Sequence, residues 1–354
     1  MNQLFSGVEI TSIAGCVPSN RVTNDFFQNL LSPKELRIFE KTVGILERRW
    51  VSNDTTASDL GYIAANDLLQ NPEIEKQDIE CLIFLSQTPD YKIPFTSNIL
   101  QNRLHLKREI LCLDINAGCA GFIQGLSTAF AIAKTLKPGK KVLLIVAETL
   151  SKILSKNDRS TSMLFGDGAS ALLIEHTENL EAKAFFNFFS DGANYDAIII
   201  PDGGFRNEPQ IGSFEMKIDE VGNTKNRLHL EMDGPKVFDF TLREIAPGIK
   251  KLLDCFELDI NTIDHFILHQ SNQFILKQIA AQLGIGDDKL LINIQNFGNT
   301  SGVSIPLAIV TENVRLLTSK NLLLSGYGVG LNWGNALIQN HNFSVNNLIE
   351  FNES

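Results

Sequence analysis

No apolar run in this chain approaches the roughly 18 residues of a membrane-spanning helix. Basic residues are also in deficit. The sequence has 31 Lys and Arg against 41 Asp and Glu, a net charge of -10, and no block of like charge, so the footprint of a nucleic-acid binder is missing. The first basic residue is Arg21, which leaves the opening segment without the positive region of a signal peptide. A soluble, cytoplasmic protein with neither a nucleic-acid nor a membrane partner is expected. The five cysteines, Cys16, Cys81, Cys112, Cys119 and Cys255, are odd in number, widely spaced and form no C-x-x-C, against both a disulfide framework and a zinc knuckle. No metal-ligand spacing appears. With 11 Pro and 25 Gly in 354 residues, collagen-like and low-complexity readings are excluded as well.

What remains is a globular composition, 44% hydrophobic and 20% charged, long enough for two domains or one large one. Short apolar runs alternate with helical patterns, as in α/β proteins. Strands are predicted at Cys81-Leu85, Ile110-Asp114, Val142-Ala147, Phe266-His269 and Leu322-Ser325, and helices at Gly121-Leu136, Val237-Cys255, Gln273-Leu283 and Val303-Leu316. Pro138 and Gly139 stop the first helix, and Gly284 stands where a left-handed cap would end the third.

Three landmarks recur in order in the two halves. Asn116-Ala117-Gly118-Cys119 matches Asn296-Phe297-Gly298-Asn299 at an offset of 180 residues, and the same shift carries Lys140-Leu144 onto Lys320-Leu324. Ile79-Phe84 matches Ile263-Leu268 at 184, a difference a loop absorbs. Any one pair is what buried strands show by chance; three in order favour duplication. The expected organisation is a half at 1–178, a half at 179–354, and within the second an inserted cap or pocket wall at about 185–228, rich in Phe, Gly and Asn.

Among the cysteines, Cys119 stands apart. It follows a strand through Gly118 and opens an Ala-rich helix, where exposed backbone N–H groups and the helix dipole stabilise a thiolate. The other four sit where buried or structural cysteines sit. His269 ends a strand, where α/β sites assemble, and Asn299 supplies a carboxamide at the turn that matches the thiol of the first half. Gly326-Tyr327-Gly328-Val329-Gly330 is followed by another apolar strand rather than a helix, so it reads as a tight turn offering N–H groups to an oxyanion, not as a dinucleotide fingerprint. Gly166-Asp167-Gly168 reads as a hinge or turn.

These residues resemble a known family. Asp114-Ile115-Asn116-Ala117-Gly118-Cys119-Ala120-Gly121-Phe122, His269-Gln270-Ser271-Asn272, and Asn296-Phe297-Gly298-Asn299-Thr300-Ser301 look like the motifs of ketoacyl-ACP synthase III-type condensing enzymes of the thiolase superfamily. Phe165-Ala169, Pro201-Gly204 and Gly326-Gly334 support the likeness in the same order. The resemblance implies an α/β, thiolase-like fold, a duplicated αβαβα layering of two pseudo-symmetric halves, usually homodimeric. It implies a Cys119-His269-Asn299 triad with an oxyanion hole formed by the N–H groups of Cys119 and Val329. The substrates implied are acyl-CoA or acyl-ACP and malonyl-ACP or malonyl-CoA, with an acyl carrier protein as partner and no cofactor or metal. The product is a β-ketoacyl thioester of fatty-acid or specialised biosynthesis.

Substrate contacts carried over by motif are Arg159 and Asn272, with Ile93 and Phe205 at the acyl channel. Ile93-Pro94 stands where the family often has Phe before Pro, and Ile38 where it has the Trp that stacks with Arg on the CoA adenine. Gln273 and Phe274 follow Asn272 where a carrier-docking Arg is usual, leaving Lys277. The Phe-rich Phe185-Phe189 suggests an altered pocket. No cysteine follows Cys255, unlike degradative thiolases, and Gln87-Thr88-Pro89-Asp90-Tyr91 lacks the catalytic Glu of hydroxymethylglutaryl-CoA synthases. Two competing readings are an acyltransferase passing the acyl group to an amine, hydroxyl or ketide without decarboxylation, and an inactive partner subunit.

Overall fold

The computed structural model describes residues 1–352. In chain order the first half supplies β1 (Asn2–Ser6), β2 (Val8–Pro18), α1 (Pro33–Val43), α2 (Ala57–Leu69), β3 (Ile79–Leu85), α3 (Thr96–Arg103), β4 (Leu111–Ile115), α4 (Gly121–Thr135), β5 (Lys141–Glu148) and β6 (Gly168–His176). The second supplies β7 (Lys183–Ser190), α5 (Gly234–Cys255), β8 (His265–Leu268), α6 (Gln273–Leu283), α7 (Ser304–Thr311), β9 (Leu322–Gly328), β10 (Asn332–Gln339), β11 (Ser344–Val345) and β12 (Ile349–Phe351).

Except at the edge strand β4, the apolar runs become strands buried on both faces, and the alternation of strands and helices builds five layers. In β3, Cys81, Ile83 and Leu85 face inward onto α4, whose Phe122, Leu126 and Phe130 belong to the same central cluster. Leu82 and Phe84 face the other way, onto α2. In the second half Leu322 and Leu324 of β9 point to the centre, whereas Leu323 and Tyr327 meet α5 and α6. The layers therefore run α2/α3, first sheet, α4/α7, second sheet, α5/α6. Helix α7 is buried at every position from Ser304 to Val310, as a helix enclosed between two sheets must be.

The first sheet has the order β11-β2-β6-β5-β3-β4, with β12 also on β2; the second has β1-β7-β10-β9-β8. Directions repeat too. β3 and β5 are parallel and β5 and β6 antiparallel, as β8 and β9 are parallel and β9 and β10 antiparallel. The duplication read from the sequence is thus present as topology, with one asymmetry: the partner of β4 is reduced to an isolated bridge between Phe266 and Leu290.

Three expectations need correction. The termini cross between the halves: β1 pairs with β7 of the second sheet, while β11 and β12 pair with β2 of the first, so a cut at 178/179 separates chain segments but not sheets. Phe185–Phe189 is no pocket wall, because it lies in β7, where Phe186 joins the central layer and Phe185 the outer one. The insertion begins after Ser190. The helix expected over Val303-Leu316 is broken at Glu312, whose φ/ψ of -105°/19° is not helical. Thr311 Oγ1 bonds back to the Leu307 carbonyl at 3.0 Å, a contact that bends and ends helices. Gly284 does cap α6 in the left-handed region, with φ 72°. No helix is long and apolar enough to cross a membrane among the described residues.

Candidate active site

Cys119 leaves β4 through Asn116–Gly118, one residue ahead of Ala120, the N-cap of α4. Its Sγ lies 3.6 Å from Ser301 Oγ. The backbone N–H groups of Val329 and of Cys119 itself lie on the side of the sulfur and favour its ionised form. Burial is the larger effect and pushes the thiol up to about 11, against which these donors and the Ser301 hydroxyl pull downward. The thiolate expected at a helix N-terminus is therefore not the resting form; loss of water outweighs the donors. Gly328, at φ +154°, permits the approach of the β9 end, since a Cβ there would fall 2.6 Å from that of Cys119.

His269 follows β8 and is 2% exposed. Burial drives its imidazole down to about 3, opposed by a hydrogen bond to the Ser301 backbone, so the ring is neutral. Its Nδ1 is 2.7 Å from Ser304 Oγ at the start of α7. Tyr327 holds it from behind, donating its hydroxyl to the His269 carbonyl at 3.0 Å with its ring edge-on to the imidazole.

Asn299 is fixed by the motif read above as a hinge. Its N–H donates to Leu164 O at 2.8 Å, and its carbonyl accepts from Gly166 N at 3.0 Å. The Phe165–Gly168 stretch is thus a strut between halves, and Asp167 anchors it by accepting from Val51 N and Ser151 N at 2.8 and 2.9 Å. Asn299 Oδ1 accepts the Ser301 N–H at 2.9 Å. That bond identifies the oxygen and leaves Nδ2 as the end free to donate.

Ser301 meets all three triad members and escaped the sequence reading. It holds φ +52°, a left-handed conformation rare for a residue with a side chain, which at a site signals a geometry fixed by its surroundings. Its position in the Asn299-Thr300-Ser301-Gly302 turn was the available signal. A cavity of about 230 Å³ opens at Cys119. Leu150, Ile153, Phe165, Ile198, Leu230 and Val329 form its apolar wall, and Gln87, Asn116 and Ser301 its polar end. The insertion contributes Ile198–Ile200, inside the segment expected at about 185–228, and Leu230 just beyond it, whereas Phe185–Phe189 and Phe205 do not line the cavity.

Of the four expected substrate contacts, none lines this cavity. Ile93 and Phe205 are 83% and 82% exposed, neighbours on the surface where Lys92 Nζ lies 5.3 Å from the Phe205 ring. Arg159 faces Glu35 of α1 at 3.8 Å. Asn272 caps α6, its Oδ1 accepting the Ile275 N–H at 2.8 Å. No cluster of three or more His, Cys, Asp or Glu side chains able to hold a metal occurs among the described residues.

Comparison with known proteins identifies the family. A family model described as 3-oxoacyl-[acyl-carrier-protein (ACP)] synthase III matches residues 113–193, and the C-terminal model of the same synthase matches residues 253–340. The beta-ketoacyl-[acyl-carrier-protein] synthase III of Clostridium acetobutylicum is 36% identical over 95% of this chain and 99% of its own length. That of Streptococcus gordonii is 34% identical over 93% and 98%. The crystal structure of a 3-oxoacyl-(acyl-carrier protein) synthase from Burkholderia xenovorans superposes with a TM-score of 0.91 at 36% identity, covering 99% of each chain. With both halves matched in order and relatives aligned over nearly their whole length, the chain belongs to the 3-oxoacyl-[acyl-carrier-protein] synthase III family.

Proposed function

We propose that the protein catalyses a decarboxylating Claisen condensation between an acyl group carried on Cys119 and a malonyl thioester. The observation that carries this reading is the Ser301 junction, where a sulfur facing two backbone N–H donors sits beside a neutral imidazole and a carboxamide turned with its N–H₂ end free. In the first step the Cys119 thiol displaces the thiol of an acyl thioester, and the proton leaves with the departing thiol. The Cys119 and Val329 N–H groups bind the oxyanion of the tetrahedral intermediate. In the second, malonyl carboxylate leaves as carbon dioxide, and its bonding electrons form an enolate whose oxygen is stabilised by His269 and Asn299 Nδ2. The enolate carbon attacks the acyl-cysteine carbonyl, the C–S bond breaks, and the released sulfur takes up a proton. No strong base is needed, which suits a histidine kept neutral by burial.

The acyl donor and malonyl substrate are read as CoA or carrier-protein thioesters. Arg159, α1 and the Asn272 end of α6 form one surface for their long arms, since Glu35 reaches Arg159 and Gln273 packs on Gly44 at the end of α1. A homodimer is supported by β4, an edge strand whose Leu111 is 52% exposed, and by the exposed Tyr91, Ile93 and Phe95. Intact-protein mass after incubation with acyl-CoA and acyl-carrier thioesters tests the reading. An adduct that disappears with carbon dioxide release on adding malonyl thioester is expected. An adduct indifferent to malonyl thioester would instead indicate the non-decarboxylating acyltransferase.

A further inference from the structure

The apolar cavity that opens at Cys119 carries two carboxamides at its reacting end, Gln87 and Asn116. Gln87 is half-buried and Asn116 exposed, and neither side chain makes a hydrogen bond to another described residue, while the cavity wall beside them is made of Leu, Ile and Phe. A half-buried carboxamide that pairs with no protein group meets water at the pocket end and can exchange that water for a ligand oxygen. Gln87 is also held in place. The buried Glu148 at the end of β5 accepts the Gln87 N–H with both oxygens, at 3.1 and 3.2 Å, and the Thr88 hydroxyl at 2.9 Å. Thr88 Oγ1 in turn accepts the Thr149 N–H at 2.9 Å, tying the loop after β3 to the end of β5. The Gln87 carboxamide then meets Gly118 with its Oε1 end foremost, so closely that a Cβ at that position would overlap it. Gly118 immediately precedes the nucleophile, which places the carboxamide beside the first few carbons of any acyl group on Cys119.

We propose that Gln87 is a specificity-determining residue that selects an acyl group bearing a hydroxyl or keto oxygen within a few carbons of the thioester. This rests on the condensing reading above and names the class of its acyl substrate. The apolar wall takes the hydrocarbon part, and Gln87, next to the nucleophile's neighbour Gly118, meets an oxygen only near the thioester end. Gln87 both donates and accepts, so it satisfies a hydroxyl or a keto oxygen equally. An unsubstituted acyl group of the same size leaves the carboxamide unpaired and is discriminated against, as sites built to hydrogen-bond a substrate oxygen discriminate against analogues that lack it.

The test compares the rates at which wild-type protein, Gln87→Met and Gln87→Ala form the Cys119 adduct with 3-hydroxybutanoyl and butanoyl thioesters, followed by intact mass. Circular dichroism melts confirm that each variant is folded. Wild type is expected to favour the hydroxyacyl donor by about tenfold or more. Gln87→Met keeps the volume and removes the hydrogen bond, so the preference should collapse to within about threefold, mainly through slower loading of the hydroxyacyl donor. Equal loading of both donors by wild type overturns the proposal while leaving the condensing reading intact. A preference that survives in Gln87→Met and disappears only in Gln87→Ala would show that Gln87 acts by filling space, and overturns it too. Absence of any adduct in wild type would overturn both the proposal and the reading beneath it.

Discussion

The two halves approach the site by the same route and arrive with different chemistry. In the first, β4 is a full strand and its following turn presents Cys119; in the second, the matching strand has shrunk to the bridge at Leu290 and the matching turn presents Asn299. Burial acts on both halves and moves their titratable groups in opposite directions, the Cys119 thiol up to about 11 and the His269 imidazole down to about 3. The same physical cause leaves both groups neutral, because in each case it penalises the charged form. In the proposed reaction charge is met by aimed donors as it develops, the acyl oxyanion by one N–H from each half, Cys119 and Val329, and the enolate by His269 and Asn299 of the second half alone.

The largest way to break the contrast is to remove the sulfur. Cys119→Ser is expected to abolish acyl loading outright, measured by intact mass; stoichiometric loading of that variant would contradict the nucleophile assignment. Next comes the close contact between the halves. Gly328→Ala places a methyl group onto Cys119 and should cost about 1–3 kcal/mol of stability, read by chemical denaturation, together with slower loading.

A third prediction concerns pH. Glu148, buried beneath the first-half loop, is pushed up to about 8 from its ordinary 4.5 by loss of water, so the folded protein keeps a proton that the unfolded chain has released. Its contribution is present below about pH 4.5 and is lost as pH rises toward 8. His269 and His341, pushed down to about 3 and about 4 by burial, act oppositely: their contributions are present above 6.5 and lost on acidification. Stability should therefore peak near neutral pH and fall on the alkaline side with a slope of up to about 1.4 kcal/mol per pH unit from Glu148. Denaturation midpoints across pH 6.5 to 8 should show that slope in wild type and not in Glu148→Gln. An unchanged slope in the variant would assign it to other groups. The smallest effect belongs to Asn272→Ala, which removes the α6 cap and should cost about 1 kcal/mol.

Much of this site was legible in the sequence because strand-end motifs place Cys119, His269 and Asn299 locally, each within a few residues of the element that aims it. Ser301, Tyr327 and Glu148 were not legible. Their roles exist only once distant segments meet: Ser301 acts between the halves, Tyr327 behind His269, and Glu148 beneath a loop some 60 residues away in sequence. The Phe185–Phe189 run misled for a physical reason, since adjacent aromatic residues suit a pocket wall and a strand packed on both faces equally well. The exchange of β1, β11 and β12 between sheets was invisible because such short segments carry no periodic signal. The surface positions of Ile93 and Phe205 likewise depend on where the loop after β3 and the insertion come to rest.

The division of labour between the two donor pairs is tested most directly by following acyl loading and carbon dioxide release in His269→Ala and Asn299→Ala. Both variants are predicted to load Cys119 at near wild-type extent while carbon dioxide release from malonyl thioester falls by about 10²–10³, the usual loss for one oxyanion donor. Decarboxylation at the wild-type rate in either variant, or loss of loading in a folded one, would contradict the account.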